Sequence, residues 1–248
     1  MSISIDLNCD MGEGMSNDAL LMPFISSANI ACGSYAGNET IMQQTIELAL
    51  QYNVSIGAHP SFPDKANFGR TNMQLPAEDV HAMVKEQIET LAEIAAKNNC
   101  KLHHVKPHGA LYNMAAQDEA LSTAICKAIK EIDASLRVYG LSGSKLIGVA
   151  RSMNLETCDE VFADRTYQGD GSLTPRSRPN ALLQNKDAVT KQVLQFMLHK
   201  SVTAADGKII PVEAGTICVH GDGEHAVEFV RAIHETLKTN NIIISPGG

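Results

Sequence analysis

The sequence predicts an α/β protein whose parallel sheet closes into one (β/α) barrel. Short apolar runs alternate with amphipathic helices along the chain, and seven or so such units fit into 248 residues. The turn after the first strand reads DMGEG, which is not the Gly-rich turn typical of nucleotide-binding open sheets. We therefore expect a single-domain TIM-like barrel over residues 1–248, seven-stranded or distorted, with a doubly wound open sheet as the alternative.

The predicted strands are short runs enriched in Val and Ile and bounded by polar turns. In chain order they read ISIDLN, ANIAC, VSIGAH, LHHVKP, RVYGLSG, EVFADR and TICVHG. In the first strand Asp6, Asn8 and Asp10 alternate with Leu7 and Cys9, although charged groups are seldom fully buried unless they are paired. In a parallel barrel, Leu7 and Cys9 pack against the helices and the three polar side chains point inward, toward the barrel mouth.

Helical patterns fill the segments between these strands. They cover residues 39–52, 77–98, 118–132, 144–153, 186–199 and 224–239. The second is the clearest, because Val80, Val84 and Ile88 belong to one apolar face. Pro76 stands near its first turn and acidic residues follow, as the helix dipole favours.

Composition excludes several classes of protein. An apolar content of 44% and a charged content of 19% are typical of a folded globular chain. A net charge of −8 without any Lys/Arg-rich run argues against nucleic acid or an anionic membrane as partner. No apolar run approaches the roughly 18 residues that a membrane helix needs.

The amino-terminal residues and the cysteines predict a cytoplasmic location. MSISIDLNCD has neither the basic nor the apolar region of a secretory signal. The six cysteines occur without any CxxC pair, which indicates reduced, buried thiols.

Polar residues collect where the predicted strands end, which is where (β/α) barrels carry their active sites. The first strand supplies Asp6, Asn8, Asp10 and Glu13; the third His59, with Arg70 in its loop; the fourth Lys106 and His108; the sixth Asp164 and Arg165, with Arg176 in its loop; the seventh His220 and Asp222. We interpret this convergence as a catalytic cleft.

Structural roles are the alternatives for several of these residues. Lys106 would then merely pair with Asp10 or Glu13, and Asp164 with Arg165 would form an ordinary bidentate ion pair.

Among the histidines, those at strand ends beside Pro or Gly (His59, His108 and His220) are favoured over those in helices. Arg176 and Arg178 suit either solvated surface or a phosphate. Asp and His could ligate a divalent metal, but no HxxxH or HExxH spacing fixes a site, so its ligands stay unknown.

Taken together, several motifs closely resemble the LamB/YcsF family. They are DLNCDMGEG, SANIACG, GAHPSFPD, FGR, HVKPHGALYN, EVFADRTYQGDGSLTPRS and CVHGD. The resemblance runs from Ile5 to about Leu237, and family members are known as lactam-utilisation proteins and as the A subunit of bacterial ATP-dependent 5-oxoprolinase. It implies a barrel of the glycoside hydrolase/deacetylase type. It also implies cleavage of 5-oxo-L-proline to L-glutamate, coupled to hydrolysis of ATP to ADP and phosphate, together with separate 5-oxoprolinase subunits B and C.

One segment departs from the family. Where members typically read Phe-His-Ala-Gly-Asp, this chain has Ser34, Tyr35, Ala36, Gly37 and Asn38. Tyrosine donates a hydrogen bond but replaces imidazole poorly near neutral pH. Because the other motifs are intact, we expect this position to be peripheral to the site.

The implied reaction assigns roles to the polar residues. Lys106 and Arg165 are expected to bind phosphate or an oxyanion. Asp10 or Glu13 would be the general base, with a pKa raised by neighbouring carboxylates. The catalytic set is Asp10, Glu13, His59, Lys106, His108, Asp164 and Arg165, where either histidine protonates the leaving nitrogen. The substrate- or phosphate-binding set is Asp6, Asn8, Arg70, Arg176, His220 and Asp222.

The expected cofactor is ATP, with Mg²⁺ as its counterion. The chain contains no GxxxxGK[ST] loop, so ATP would bind to the partner subunits or, alternatively, to DMGEG and the arginine loop. Two other functions remain open, a metal-dependent amidohydrolase or deacetylase acting without ATP and a non-catalytic scaffold for partner subunits.

Overall fold

The computed structural model describes residues 3–221, 223 and 225–246. The described strands are β1 (Ser4–Met11), β2 (Ser27–Ala31), β3 (Ser55–His59), β4 (His104–Val105), β5 (Arg137–Leu141), β6 (Thr157–Phe162), β7 (Ser201–Thr203), β8 (Ile209–Pro211), β9 (Thr216–Val219) and β10 (Ile243–Ile244). The described α-helices are α1 (Asp18–Leu21), α2 (Glu39–Gln51), α3 (Ala77–Lys97), α4 (Gly109–Ala115), α5 (Glu119–Ile132), α6 (Lys145–Ser152), α7 (Lys186–His199) and α8 (Ala226–Thr239).

Within these residues, seven parallel strands close into a barrel in the order β1, β2, β3, β4, β5, β6 and β9. Closure is made by β9, which pairs with β6 on one side and with β1 on the other. The short β10 adds to the beginning of β1, at Ser4 and Ile5. The predicted seven-stranded (β/α) barrel is confirmed, and the open sheet is excluded because it would leave β1 and β9 apart.

The predicted elements agree closely with the observed ones. Each of the seven predicted strands overlaps a barrel strand, and the six predicted helices match within about two residues at each end. The sequence did not predict α4, the antiparallel hairpin of β7 and β8, or β10. Each of these is too short to show a hydrophobic period, which is the signal on which the prediction rests.

The apolar core lies between the strands and the surrounding helices. Leu7 and Cys9 of β1 are fully buried there, as predicted, and the apolar face of α3 packs on the same core through Val84, Ile88 and Leu91. Side-chain caps fix the starts of four helices. The capping residues Asn38, Asp118, Ser144 and Asn185 each accept from a backbone N–H in the first turn of α2, α5, α6 and α7.

The interior of the barrel is polar, unlike the branched apolar filling common in this architecture. The Asn8 amide donates to Glu160 of β6 and to Thr216 of β9, and accepts from Asn29 of β2. These contacts cross the barrel and show that the polar residues of β1 point inward, as predicted. Gly57 of β3 leaves the space that the ring of His104 occupies, since a Cβ there would collide with that ring.

Two further expectations concern membranes and thiols. In the described part of the chain, no helix is both long and apolar enough to cross a membrane. All six cysteines are unpaired, and five of them are buried, whereas Cys100 is half-buried.

Candidate active site at the carboxyl end of the barrel

The carboxyl ends of the barrel strands surround a cavity of about 470 Å³. Nine of the predicted site residues line it: Asp10, Glu13, His59, Arg70, Lys106, His108, Arg165, Arg176 and His220. A cavity of this size is typical of small-molecule sites. The structure therefore brings together residues that lie far apart in the sequence, while their individual roles stay predictions.

Asp10 and Lys106 form the centre of the cavity floor. The Lys106 ammonium lies 3.0 Å from Asp10 Oδ1 and 2.8 Å from Glu160 Oε1, and it donates to Asn8 Oδ1 at 3.2 Å. Asn29 donates to the same Asp10 oxygen at 2.8 Å. Because an ammonium has three N–H donors, these acceptors can occupy all of them. The pairing of Lys106 with Asp10, which the sequence left as an alternative, is what the structure shows.

The charges on the floor hold both partners ionised. Burial alone would raise the pKa of Asp10, but His59 and Lys106 outweigh it and hold that pKa well below its usual value. Burial likewise acts to lower the pKa of Lys106, whereas Asp10 and then other neighbours, including Glu160, raise it well above the usual value. The expected upward shift of the Asp10 pKa is therefore wrong, because cations rather than carboxylates are its nearest charged neighbours.

Two imidazole rings stand beside Asp10 at the end of β3 and after β4. His59 Nε2 lies 2.9 Å from His108 Nδ1 and 3.4 Å from Asp10 Oδ2. Burial, followed by the charge of His59, lowers the pKa of His108 well below its usual value. His108 is therefore neutral near pH 7, and in its resting state it lacks the spare proton that the predicted acid needs.

Tyr35 is in direct contact with this cluster. Its hydroxyl donates to Glu13 Oε1 at 2.6 Å, and its ring stacks on that of His108 with centroids 3.8 Å apart. The expectation that this position is peripheral is therefore wrong. The residue that departs from the family motif orients both Glu13 and His108.

The opposite wall carries the groups from β6 and β9. Nδ1 of His220 lies 2.9 Å from Asp164 Oδ1, so Asp164 pairs with His220 and not, in the described residues, with Arg165. Arg165 instead donates to the backbone carbonyls of Thr174 and Ala181, which holds the loop that carries Arg176. Burial, together with Arg176, lowers the pKa of Arg165 to about 10. Two arginines thus face each other near the mouth, where an anion would relieve their repulsion.

Four predicted site residues do not line the cavity. Asn8 contacts Lys106 from below, and Asp164 lies behind His220. Asp6 lies deeper still, where it accepts from the hydroxyls of residues 26, 27 and 216. Asp222 lies outside the described residues.

The sequence reasoning missed Asn29, Glu160 and Tyr35. Asn29 and Glu160 are polar residues at inward positions of the apolar strands β2 and β6, so strand alternation applied to every strand would have found them. Nothing in the sequence alone marks Tyr35 as a neighbour of His108, because the contact joins separate loops.

The arrangement has the chemical parts of a hydrolytic site for a small anionic substrate. The floor offers carboxylates and imidazoles that can move protons, and the rim offers arginines that can bind an anion. The described residues also contain two groups able to hold a metal ion, which are Asp10, Glu13, His59 and His108, and Asp10, Cys218 and His220. The second group is the weaker one, because burial raises the pKa of the Cys218 thiol well above its usual value.

Comparison with known proteins places this site in a family. The LamB/YcsF family model matches residues 5–247. The A subunit of 5-oxoprolinase from Tolumonas auensis is 51% identical over 238 residues, which cover 94% of this chain and 95% of the relative. The corresponding A subunit from Bacillus cereus is 49% identical over 247 residues, covering 97% and 98%.

Solved structures confirm the fold. The crystal structure of a lactam utilization protein from Thermus thermophilus superposes with a TM-score of 0.92 at 36% identity, covering 98% of this chain and 99% of that one. A peptidoglycan deacetylase from Bacillus subtilis shares the fold alone, with a TM-score of 0.51 at 11% identity over 99% of this chain and 88% of the other. The chain belongs to the LamB/YcsF family.

Proposed function

We propose that this chain is the A subunit of an ATP-dependent 5-oxoprolinase, which opens 5-oxo-L-proline to L-glutamate while ATP is hydrolysed to ADP and phosphate. The names of relatives about half identical over nearly the whole chain support this assignment. The single structural observation that carries it is the buried cluster of Asp10, Lys106, His59 and His108 on the floor of a cavity with arginines at its rim. Subunits B and C are the partners that the name implies.

The reaction explains why such a cavity needs both anions and cations. A lactam carbonyl is a poor electrophile, and transfer of the γ-phosphoryl group of ATP to its oxygen makes the ring carbon open to attack by water. Water adds to that carbon and gives its proton to a carboxylate, the C–N bond breaks, and the ring nitrogen takes up a proton. A second water then releases phosphate from the resulting acyl phosphate to give glutamate.

The residues of the floor suit the ring-opening half of this sequence. Asp10 or Glu13 takes the proton from water, and the low pKa of Asp10 makes Glu13 the stronger base of the two unless Asp10 is aided by His59. His108 or His59 returns a proton to the leaving nitrogen. Lys106 keeps Asp10 ionised and contributes positive potential beneath the developing charge.

The rim suits the phosphoryl group. Arg70 and Arg176 line the cavity mouth, and Arg165 fixes the loop of Arg176. Guanidinium groups bind phosphate in a planar, two-pronged geometry. We infer that ATP, with Mg²⁺, binds mainly to the partner subunits and that this barrel receives the activated lactam, because the chain lacks a phosphate-binding glycine loop.

The decisive experiment measures glutamate and phosphate released from 5-oxoproline and ATP, with this chain alone and with subunits B and C added. We expect glutamate only when the partners are present, and none when wild-type chain is replaced by Asp10→Asn. Glutamate formation by B and C without this chain, or at the wild-type rate with Asp10→Asn, would contradict the proposal. ATP binding by the isolated chain would move the nucleotide site into this barrel.

An amidohydrolase that needs no ATP is the second candidate, favoured by the carboxylate–histidine cluster and the fold shared with a deacetylase. Hydrolysis of 5-oxoproline or of acetylated amines by the chain alone, without nucleotide, would support it over the first proposal.

A further inference from the structure

Four electron-pair donor atoms face one another on the cavity floor. His59 Nε2 lies 2.9 Å from His108 Nδ1 and 3.4 Å from Asp10 Oδ2, and His108 Nδ1 lies 3.6 Å from Glu13 Oε1. All four atoms fall within 4.8 Å of one another, and all four side chains are buried. They come from β1 and the loop after it, from β3 and from the turn after β4, so the barrel itself sets their spacing.

The backbone fixes which nitrogen of each ring carries the proton. His59 Nδ1 lies 2.7 Å from the carbonyl oxygen of Lys106, and His108 Nε2 lies 3.0 Å from that of Phe68. A carbonyl oxygen only accepts, so each of these nitrogens is the N–H donor. In the neutral rings the two facing nitrogens therefore present lone pairs to each other, which is unfavourable without a positive charge between them.

The buried charge around this point is mainly negative. Asp10, Glu13 and Glu160 are buried carboxylates of the cluster, and the Lys106 ammonium lies between Asp10 and Glu160. Buried charges persist when they are paired or when they ligate a metal ion. The negative potential of Asp10 and Glu13 would stabilise a divalent cation placed between them and the two rings.

The distances agree with a coordination shell. A tetrahedral ion with bonds of about 2.0–2.1 Å holds its ligand atoms roughly 3.3 Å apart, and the three observed spacings bracket that value. The carbonyl partners behind both rings also match metal sites, where a ligating histidine almost always donates its other N–H to a carbonyl or carboxylate.

The support behind His108 is rigid. Phe68 adopts a left-handed backbone with φ of +56°, which is strained for an aromatic residue, and Gly69 follows with φ of +67°. A Cβ on Gly69 would collide with Ser61 Oγ and stand 2.9 Å from the His108 ring. The chain thus holds the Phe68 carbonyl and the His108 ring in one arrangement.

We propose that Asp10, Glu13, His59 and His108 form a binding site for a divalent transition-metal ion, of the Zn²⁺ or Mn²⁺ class. Two imidazole nitrogens with two carboxylates suit this class, whereas Mg²⁺ prefers oxygen ligands and retains its waters. An ion there would supply Lewis acidity to a carbonyl or water in the cavity. The site does not depend on the proposed reaction, because its evidence is the geometry of the four ligands.

The test measures metal content and not turnover. Purified chain is stripped with a chelator, incubated with ZnCl₂, MnCl₂ or MgCl₂, desalted and analysed for metal, and its visible spectrum is recorded with CoCl₂. We expect about one equivalent of Zn²⁺ or Mn²⁺ per chain, little Mg²⁺, a raised melting temperature and ligand-field bands with Co²⁺. Less than a tenth of an equivalent of both transition ions would overturn the proposal and leave a proton shared between the two rings.

Variants locate the site. His59→Gln and His108→Gln are each expected to lower retained metal at least tenfold, whereas His81→Gln, on α3 and outside the cavity, keeps one equivalent. Glu13→Gln, which lies in the loop after β1, is the second variant should the histidine changes impair folding, and it should weaken affinity at least tenfold. A full equivalent in folded His59→Gln or Glu13→Gln would contradict this ligand set. Wild-type chain that binds metal but forms no glutamate with its partner subunits would contradict only the proposed function.

Discussion

The two ends of the barrel interior contain carboxylates of the same strand in opposite situations. At the amino end, Asp6 accepts short hydrogen bonds of 2.6–2.7 Å from the hydroxyls of Ser26, Ser27 and Thr216. At the carboxyl end, Asp10 lies between the Lys106 ammonium and His59 Nε2. The first carboxylate is surrounded by neutral donors, and the second by charged and proton-exchanging groups.

This difference separates stability from chemistry within the single strand β1. A carboxylate fully satisfied by hydroxyls is fixed in place and has nothing left to offer a substrate. A carboxylate beside a cation and an imidazole nitrogen can bind an ion or exchange a proton, and it faces the cavity. In (β/α) barrels the amino end commonly serves stability and the carboxyl end catalysis, and β1 shows both.

The largest expected effect is on activity, from Asp10→Asn. The amide oxygen still accepts from Lys106 and Asn29, and the amide nitrogen can donate to His59 Nε2, so the free energy of unfolding should change by no more than about 1 kcal/mol. Glutamate formation by the assembled enzyme should fall about 10²–10⁴-fold, the usual worth of a general base. Turnover and chemical denaturation measured on one preparation check both values.

Lys106→Met should have the largest effect on stability. The substitution leaves Asp10 and Glu160 buried without their cation, and breaking a buried pair in this way costs about 3–5 kcal/mol. Denaturant unfolding measures the loss. The double variant Lys106→Met/Glu160→Gln is the control, because removing one stranded charge should restore part of the stability; no recovery would mean that lost packing, and not charge, explains the effect.

Asp6→Asn is the matched substitution at the other end of β1. One hydroxyl loses its acceptor, so the free energy of unfolding should fall by about 1–3 kcal/mol. Turnover at a temperature well below the melting point should stay within about twofold of wild type, since Asp6 does not line the cavity. A loss of activity as large as that of Asp10→Asn would show that the two ends do not divide their roles as the contacts indicate.

The same contrast explains how far the sequence could lead. The barrel and the inward orientation of Asp6, Asn8 and Asp10 followed from periodicity, because both depend on local alternation. The ionisation of Asp10 did not, because it depends on which charged groups come nearest in space. The predicted Asp164–Arg165 pair failed for a similar reason, since His220, which follows β9, lies closer to Asp164.

The smallest expected effect comes from Tyr35→Phe. The ring keeps its stacking on His108, and only the 2.6 Å hydrogen bond to Glu13 is lost. We expect a change of about 1 kcal/mol, or roughly a fivefold lower kcat with the melting temperature nearly unchanged. Steady-state kinetics of the assembled enzyme check this, with Tyr52→Phe on the exposed end of α2 as the control. An unchanged kcat would mean that Tyr35 only fills space beside His108, and it would return that position to the periphery of the site, where the sequence alone had placed it.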